Sequence, residues 1–251
     1  TEAQRLVPAS TARPPADAVI VESTYADVTR PPRKEIERAF VRAVQETVHR
    51  GGTVVIPAFA IGRTQEMMHL CTANDVECYV DGMGVEVTER LRRAPAFVRD
   101  ADAYRRASGH ARFVTGRDGQ RRRIAEQNTA IVTTAGMLSG GPAMTYVPAV
   151  AGNPTNLIAM TGYQVEGTPG RDLLDTGSAE IDGRRMPVSA RVKQFDFSAH
   201  ADREGLLDLL AAYREARVLV NHGDQCERFA AVLQSEGIDA SAPARGDVVT
   251  L

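Results

Sequence analysis

Asp196-Phe197-Ser198-Ala199-His200-Ala201-Asp202 and, further on, Val220-Asn221-His222-Gly223-Asp224 are the stretches on which the fold of this chain turns. Each sets a histidine among small and acidic residues just after a run rich in β-formers, which is where a sheet delivers side chains into a cleft. A single histidine after a strand is more often a polar loop residue than a chemical group. Two such turns with acidic neighbours direct attention to what the rest of the chain brings to them.

Working outward, Ala18-Val19-Ile20-Val21 is a short apolar run of the buried-strand type. It ends at Glu22-Ser23-Thr24-Tyr25, so a carboxylate stands at a strand's carboxyl end, either as a site residue or as a turn acid. After Pro31-Pro32, Ile36, Phe40, Ala43, Val44 and Val48 recur at helical spacing, and Gly51-Gly52 stops the helix. Thr53 to Ile56 reads as a buried strand, and Pro57 to Arg63 as a loop into a helix through about Ala73. Further strands are expected over Val76 to Val80, Ala130 to Thr134 and Leu157 to Met160, with a glycine-rich turn, Gly136-Met137-Leu138-Ser139-Gly140-Gly141-Pro142, opening a helix through about Val150. The alternation of strand and helix predicts an α/β fold with a mostly parallel sheet flanked by helices. Gly167 to Arg171 opens a short helix. Ser178 to Ile181 and Arg184 to Val192 read as a hairpin about Asp182-Gly183. A helix follows His200, a strand over Val218 to Val220 delivers His222, another helix spans Phe229 to Leu233, and Asp247 to Leu251 reads as a last strand.

Composition narrows the function classes. The 251 residues are 43% hydrophobic, enough for a core, and the formal charge of -2 gives no global basic signal. No window is apolar enough for a membrane helix and the N-terminus has no secretory pattern, so a cytoplasmic protein is expected, with no membrane partner. Cys71, Cys78 and Cys226 form neither a CxxC pair nor an even set, and read as reduced thiols. From Arg90 to Arg123, eleven arginines (Arg117 among them) face three acids, a local charge of +8. Such a segment is either a phosphate-tracking surface or a solvated face paired with acids elsewhere. The turn at Ser139-Gly140-Gly141 would expose backbone N–H groups at a helix N-terminus, a natural anion site, yet matches neither dinucleotide nor Walker fingerprints.

Taken together, Glu22 to Tyr25, Ile56-Pro57-Ala58-Phe59-Ala60-Ile61-Gly62-Arg63-Thr64-Gln65-Glu66, Gly136 to Pro142, Gly162-Tyr163-Gln164, Phe197 to Asp202 and His222-Gly223-Asp224 resemble the β-CASP family of the metallo-β-lactamase superfamily. Its members include archaeal and bacterial nucleases similar to the nuclease subunit of the cleavage and polyadenylation specificity factor. The similarity runs in order from about Glu22 onward. It implies a β-CASP domain over residues 26–195, between the end of a first metallo-β-lactamase segment (residues 1–25) and the closing C-terminal segment of that αββα domain (residues 196–251).

The same resemblance implies a zinc-dependent ribonuclease acting in mRNA 3′-end processing or RNA turnover, with two zinc ions in the family. His222 matches a zinc ligand. His200 matches the histidine near the scissile phosphate, oriented by Glu22: a carboxylate on one ring nitrogen selects the tautomer and raises basicity, so the other nitrogen can protonate a leaving oxygen. Arg63, Ser139, Gly140, Gly141 and Gln164 are expected to meet substrate. RNA is the implied partner, and a homodimer is an expectation from relatives. The family's HxHxDH motif, a further ligand histidine and a bridging aspartate normally precede the Glu22 position and are not in this sequence, and His49, His69 and His110 lack ligand spacing. Hence the chain resembles a C-terminal portion, with zinc absent or incomplete and activity alone not expected. The alternatives are a non-catalytic RNA-binding scaffold subunit and a DNA-processing β-CASP nuclease.

Overall fold

The computed structural model describes residues 4–116 and 118–250. The chain divides into two compact units. One comprises Arg5–Val7 and Pro32–Ser198, the other Pro8–Pro31 and the residues from Ala199 onward.

The larger unit runs α1 (Arg33–His49), β2 (Val54–Pro57), α2 (Arg63–Thr72), β3 (Cys78–Asp81), α3 (Met83–Arg93), α4 (Ala101–His110), β4 (Arg112–Phe113), α5 (Asp118–Ala125), β5 (Ala130–Thr133), α6 (Ala143–Ala151), β6 (Leu157–Met160), α7 (Pro169–Thr176), β7 (Ser178–Ile181), β8 (Arg184–Pro187) and β9 (Arg191–Gln194), after a strand β1 (Ala18–Glu22) that belongs to the smaller unit. Six strands lie in the order β4-β3-β5-β2-β6-β9, and every pair is parallel. The period of two along each strand sorts the apolar side chains between two cores. Val54, Ile56, Ala130, Val132, Leu157 and Ala159 point to a core with Phe40, Met67, Met68, Leu70 and Tyr104 from α1, α2 and α4. Val55, Ile131, Ile158 and Met160 point to the other, with Ile124, Tyr146, Val147, Val150 and Leu173 from α5, α6 and α7. Burial on both faces is why these strands are continuous apolar runs.

The smaller unit is a parallel sheet in the order β1-β10-β11, with β10 at Arg217–Asn221 and β11 at Ala240–Ser241. Helices α8 (Arg203–Leu210) and α9 (Cys226–Ser235) supply Leu206, Leu210, Phe229 and Leu233, which bury Val21, Val218 and Val220.

Two expected strands differ. The hairpin exists, with Ser178 opposite Pro187, but its second arm stops there instead of running to Val192. Proline lacks the N–H that would continue a ladder. Val188, Ser189 and Ala190 turn their N–H groups to Gly177 and Ala151 carbonyls, and Arg191 restarts as β9 beside β6 in the main sheet. The last strand is Ala240–Ser241, not Asp247 to Leu251: Ala244 to Asp247 form a turn with Gly246 at φ 101°, Val248 is almost fully exposed, and Leu251 lies outside the described residues. The turn closed by the Asp247 N–H on the Ala244 carbonyl takes this segment out of strand geometry.

Candidate active site

The site of the smaller unit grows from the β1–β10 register. Glu22 lies opposite Asn221, so the two parallel strands deliver Glu22 and His222 side by side at their carboxyl ends. The Ser23 N–H donates to the His222 carbonyl (3.3 Å) and the Ser23 hydroxyl to the Asn221 carbonyl (3.0 Å), stitching the two turns together. The approach is so close that a Cβ on Gly223 would stand 2.6 Å from the Ser23 carbonyl oxygen, which makes glycine necessary there. His222 itself takes a left-handed backbone, φ 48°.

His200 enters from the turn before α8. Its Nδ1 meets Glu22 Oε2 at 3.1 Å, and the other donor to that carboxylate oxygen is the Thr24 N–H at 2.8 Å. Burial works against the Glu22 charge, but the Thr24 hydrogen bonds and the charge and hydrogen bond of His200 outweigh it, and its pKa lies below the ordinary 4.5. Thr24 also reaches the second histidine: its hydroxyl is 3.2 Å from His222 Nδ1 and 3.2 Å from the His222 carbonyl. The Thr24 hydroxyl therefore lies between the ring and the carbonyl of His222, and the direction of its Nδ1 contact follows the tautomer of the ring. Both rings thus meet a partner at Nδ1. They lie stacked, centroids 6.1 Å apart and 16° from parallel. Asp202 caps α8 by accepting from the Gly205 N–H. Thr24 bonds both Glu22 and His222, and the sequence pattern does not mark it. Its place two residues after the carboxylate was the available clue.

The larger unit holds the other candidates. Arg63, at the start of α2, pairs with the fully buried Glu66 and donates to the Phe197 carbonyl. Gln164 is buried, its Nε2 donating to the Gly136 and Gly162 carbonyls at 3.2 and 3.3 Å, so it ties the turns after β5 and β6 together. Ser139 and Gly141 are exposed and Gly140 is half-buried. At the start of α6 the Ala143 N–H donates to the Thr134 carbonyl, Met144 to Gly141 and Thr145 to Pro142. The rim of this sheet's carboxyl edge instead exposes Phe59, Ile61, Met83, Tyr163 and Val165.

The basic segment is more balanced than its composition. Arg90 pairs with Glu86, Arg92 with Glu89, Arg105 with Asp102, Arg112 with Glu77, and Arg121 with Asp81 and Asp118. Arg117 lies outside the described residues. Cys71 and Cys78 are buried, as expected of structural thiols. Among the described residues no three His, Cys, Asp or Glu side chains converge as a metal-binding group, and no helix is long and apolar enough to cross a membrane. His222 and the Glu22–His200 pair do not by themselves make a zinc centre among the described residues.

The fold and site define an α/β protein in which a histidine from the turn before α8 meets a carboxylate at the carboxyl end of β1. Family comparisons agree. The Beta-Casp domain matches residues 64–173, and the Zn-dependent metallo-hydrolase RNA specificity domain matches residues 185–243. The chain belongs to the β-CASP family of the metallo-β-lactamase superfamily. It is similar to RNase aCSPSF2 of Saccharolobus solfataricus, 34% identical over 94% of this chain and 49% of that protein. The transcription termination factor FttA of Pyrococcus abyssi is 32% identical over 98% and 42%, and Integrator complex subunit 11 of Gallus gallus 29% over 94% and 42%. The chain spans about half the length of the curated relatives it matches.

Proposed function

We propose that this chain supplies the β-CASP domain and the closing metallo-β-lactamase segment of a zinc-dependent ribonuclease of RNA processing or turnover. The observation that carries the reading is the Glu22–His200 contact of 3.1 Å with the Thr24 N–H on the same carboxylate oxygen. Glu22 holds Nδ1–H, so Nε2 carries the proton that moves: protonated, it donates to the oxygen leaving a scissile phosphate. His222, fixed through Nδ1 by Thr24, offers Nε2 as one zinc ligand, the others coming from residues outside this chain. On this reading residues 26–195 are the inserted domain, and the exposed aromatic rim with Arg63 and the Ser139-Gly140-Gly141 turn lies where single-stranded RNA would pass, as a stacking surface more than an anion cradle. A homodimer in the cytoplasm is the assembly proposed.

The test compares this chain with a version extended upstream by a relative's HxHxDH-bearing half. The chain alone is expected to bind fewer than two zinc ions and to leave RNA intact, and the extended protein to cleave RNA, with loss of activity in His200→Ala. Zinc at two equivalents per chain, or His200-dependent cleavage by the chain alone, overturns the fragment reading. An extended protein that binds zinc and leaves both RNA and DNA uncut supports a scaffold instead.

A further inference from the structure

We propose that Arg30 is a positioning residue for His200, fixing the turn from which the imidazole reaches Glu22. Three contacts of this one residue converge on the turn. Its guanidinium donates from Nη1 to the His200 carbonyl at 3.0 Å. Its backbone N–H donates to Asp202 Oδ2 at 3.0 Å, the same carboxylate whose other oxygen caps α8 at Gly205. Its Cζ lies 5.2 Å over the Tyr25 ring, which in turn stands 6.1 Å from the His200 ring. Two backbone links keep the segment in register: a parallel bridge joins Tyr25 to Asp202, and the Arg203 N–H donates to the Val28 carbonyl at 3.0 Å.

The consequence is geometric. An imidazole reaches Glu22 only if its own Cα is held, because side-chain rotation alone cannot correct a turn that slides. Glu22 is fixed by the β1–β10 ladder, so the residue that fixes the His200 backbone decides whether the pair is made. Arginine suits this role where lysine does not: a planar fork can bond the carbonyl while its face rests on the aromatic ring. Nothing in the sequence pattern marks it, since Arg30 lies outside the quoted motifs, at the end of an exposed loop.

The inference rests on the reading of His200 as proton donor, yet its test uses this chain without RNA or zinc. Long-range 1H–15N correlation of the imidazoles at alkaline pH reports which ring nitrogen of His200 carries the proton. The wild type is expected to show Nδ1–H, directed at Glu22, and Glu22→Gln to give the Nε2–H population of an unpaired ring. Arg30→Ala is expected to convert most of the His200 signal to that form with the amide fingerprint of both units retained, and to add nothing to Glu22→Gln in the double variant. An Arg30→Ala ring spectrum identical to wild type overturns the proposal. Should Arg30→Ala fail to fold, Arg30→Lys decides by the same criterion. Absence of RNA cleavage in the extended protein would count against the ribonuclease reading and leave this measurement untouched.

Discussion

At Glu22 the balance of forces is open to measurement. Half-burial disfavours the carboxylate, and Thr24 and His200 more than compensate, so the folded pKa lies below the ordinary 4.5. A depressed carboxylate contributes stability above its unfolded pKa and loses it as pH falls through the folded one. Urea unfolding of wild type and Glu22→Gln between pH 7 and pH 3 should therefore show the wild-type advantage shrinking below about pH 4.5. An advantage that stays constant to pH 3 would mean that the carboxylate is not held by its partners. Glu22 at the end of β1 and His222 just after β10 stand where the sequence pattern places them, whereas His200 lies in the turn before α8 and not at a strand end. What was not legible is the device between them. Thr24 bonds both Glu22 and His222 because β1 and β10 lie in register with Glu22 opposite Asn221, and no local pattern encodes a pairing across 199 residues of chain.

Among the elements, breaker residues are legible and ionic partners are not. Pro32 before α1 and the left-handed Gly51 after it stand where the sequence put them. The second hairpin arm failed because period-two alternation continues through Pro187 while the ladder does not. Three residues after Arg63, Glu66 is fully buried between Arg63 and Arg33, and both arginines donate to the Phe197 carbonyl and lie over its ring. Arg30 and Arg33, either side of Pro31-Pro32, thus each bond a carbonyl of the returning segment, Arg30 that of His200 and Arg33 that of Phe197. Glu66→Gln leaves two guanidinium groups with a neutral partner in a buried place and should cost about 3–5 kcal/mol in chemical denaturation. A loss below about 1 kcal/mol, the usual worth of an exposed pair, would show that water reaches the cluster.

For the molecule as a whole, the question left by composition is whether the arginine-rich stretch serves a polyanion. Counting from Arg90 to Arg123 exaggerated the charge, because Glu77, Glu86 and Glu89 lie just upstream and fold back onto Arg112, Arg90 and Arg92. Within the stretch the arginines are not equivalent. Arg121 is forked onto Asp81, which also accepts from the Tyr146 hydroxyl at 2.8 Å, so it braces α5 against the end of β3. Arg122 and Arg123 are exposed on the same helix. A phosphate contact releases counterions and steepens the dependence of affinity on salt, by about 0.7 in log–log slope per phosphate on a single strand. For binding of single-stranded RNA to this chain, Arg122→Gln/Arg123→Gln should lower the slope by about 1.4 at unchanged stability. Arg121→Gln should instead lower the melting temperature and leave the slope of the folded protein as it was. Equal slopes in wild type and the double variant would assign this helix face to solvent, and leave any RNA track to the apolar rim at the carboxyl edge of the sheet.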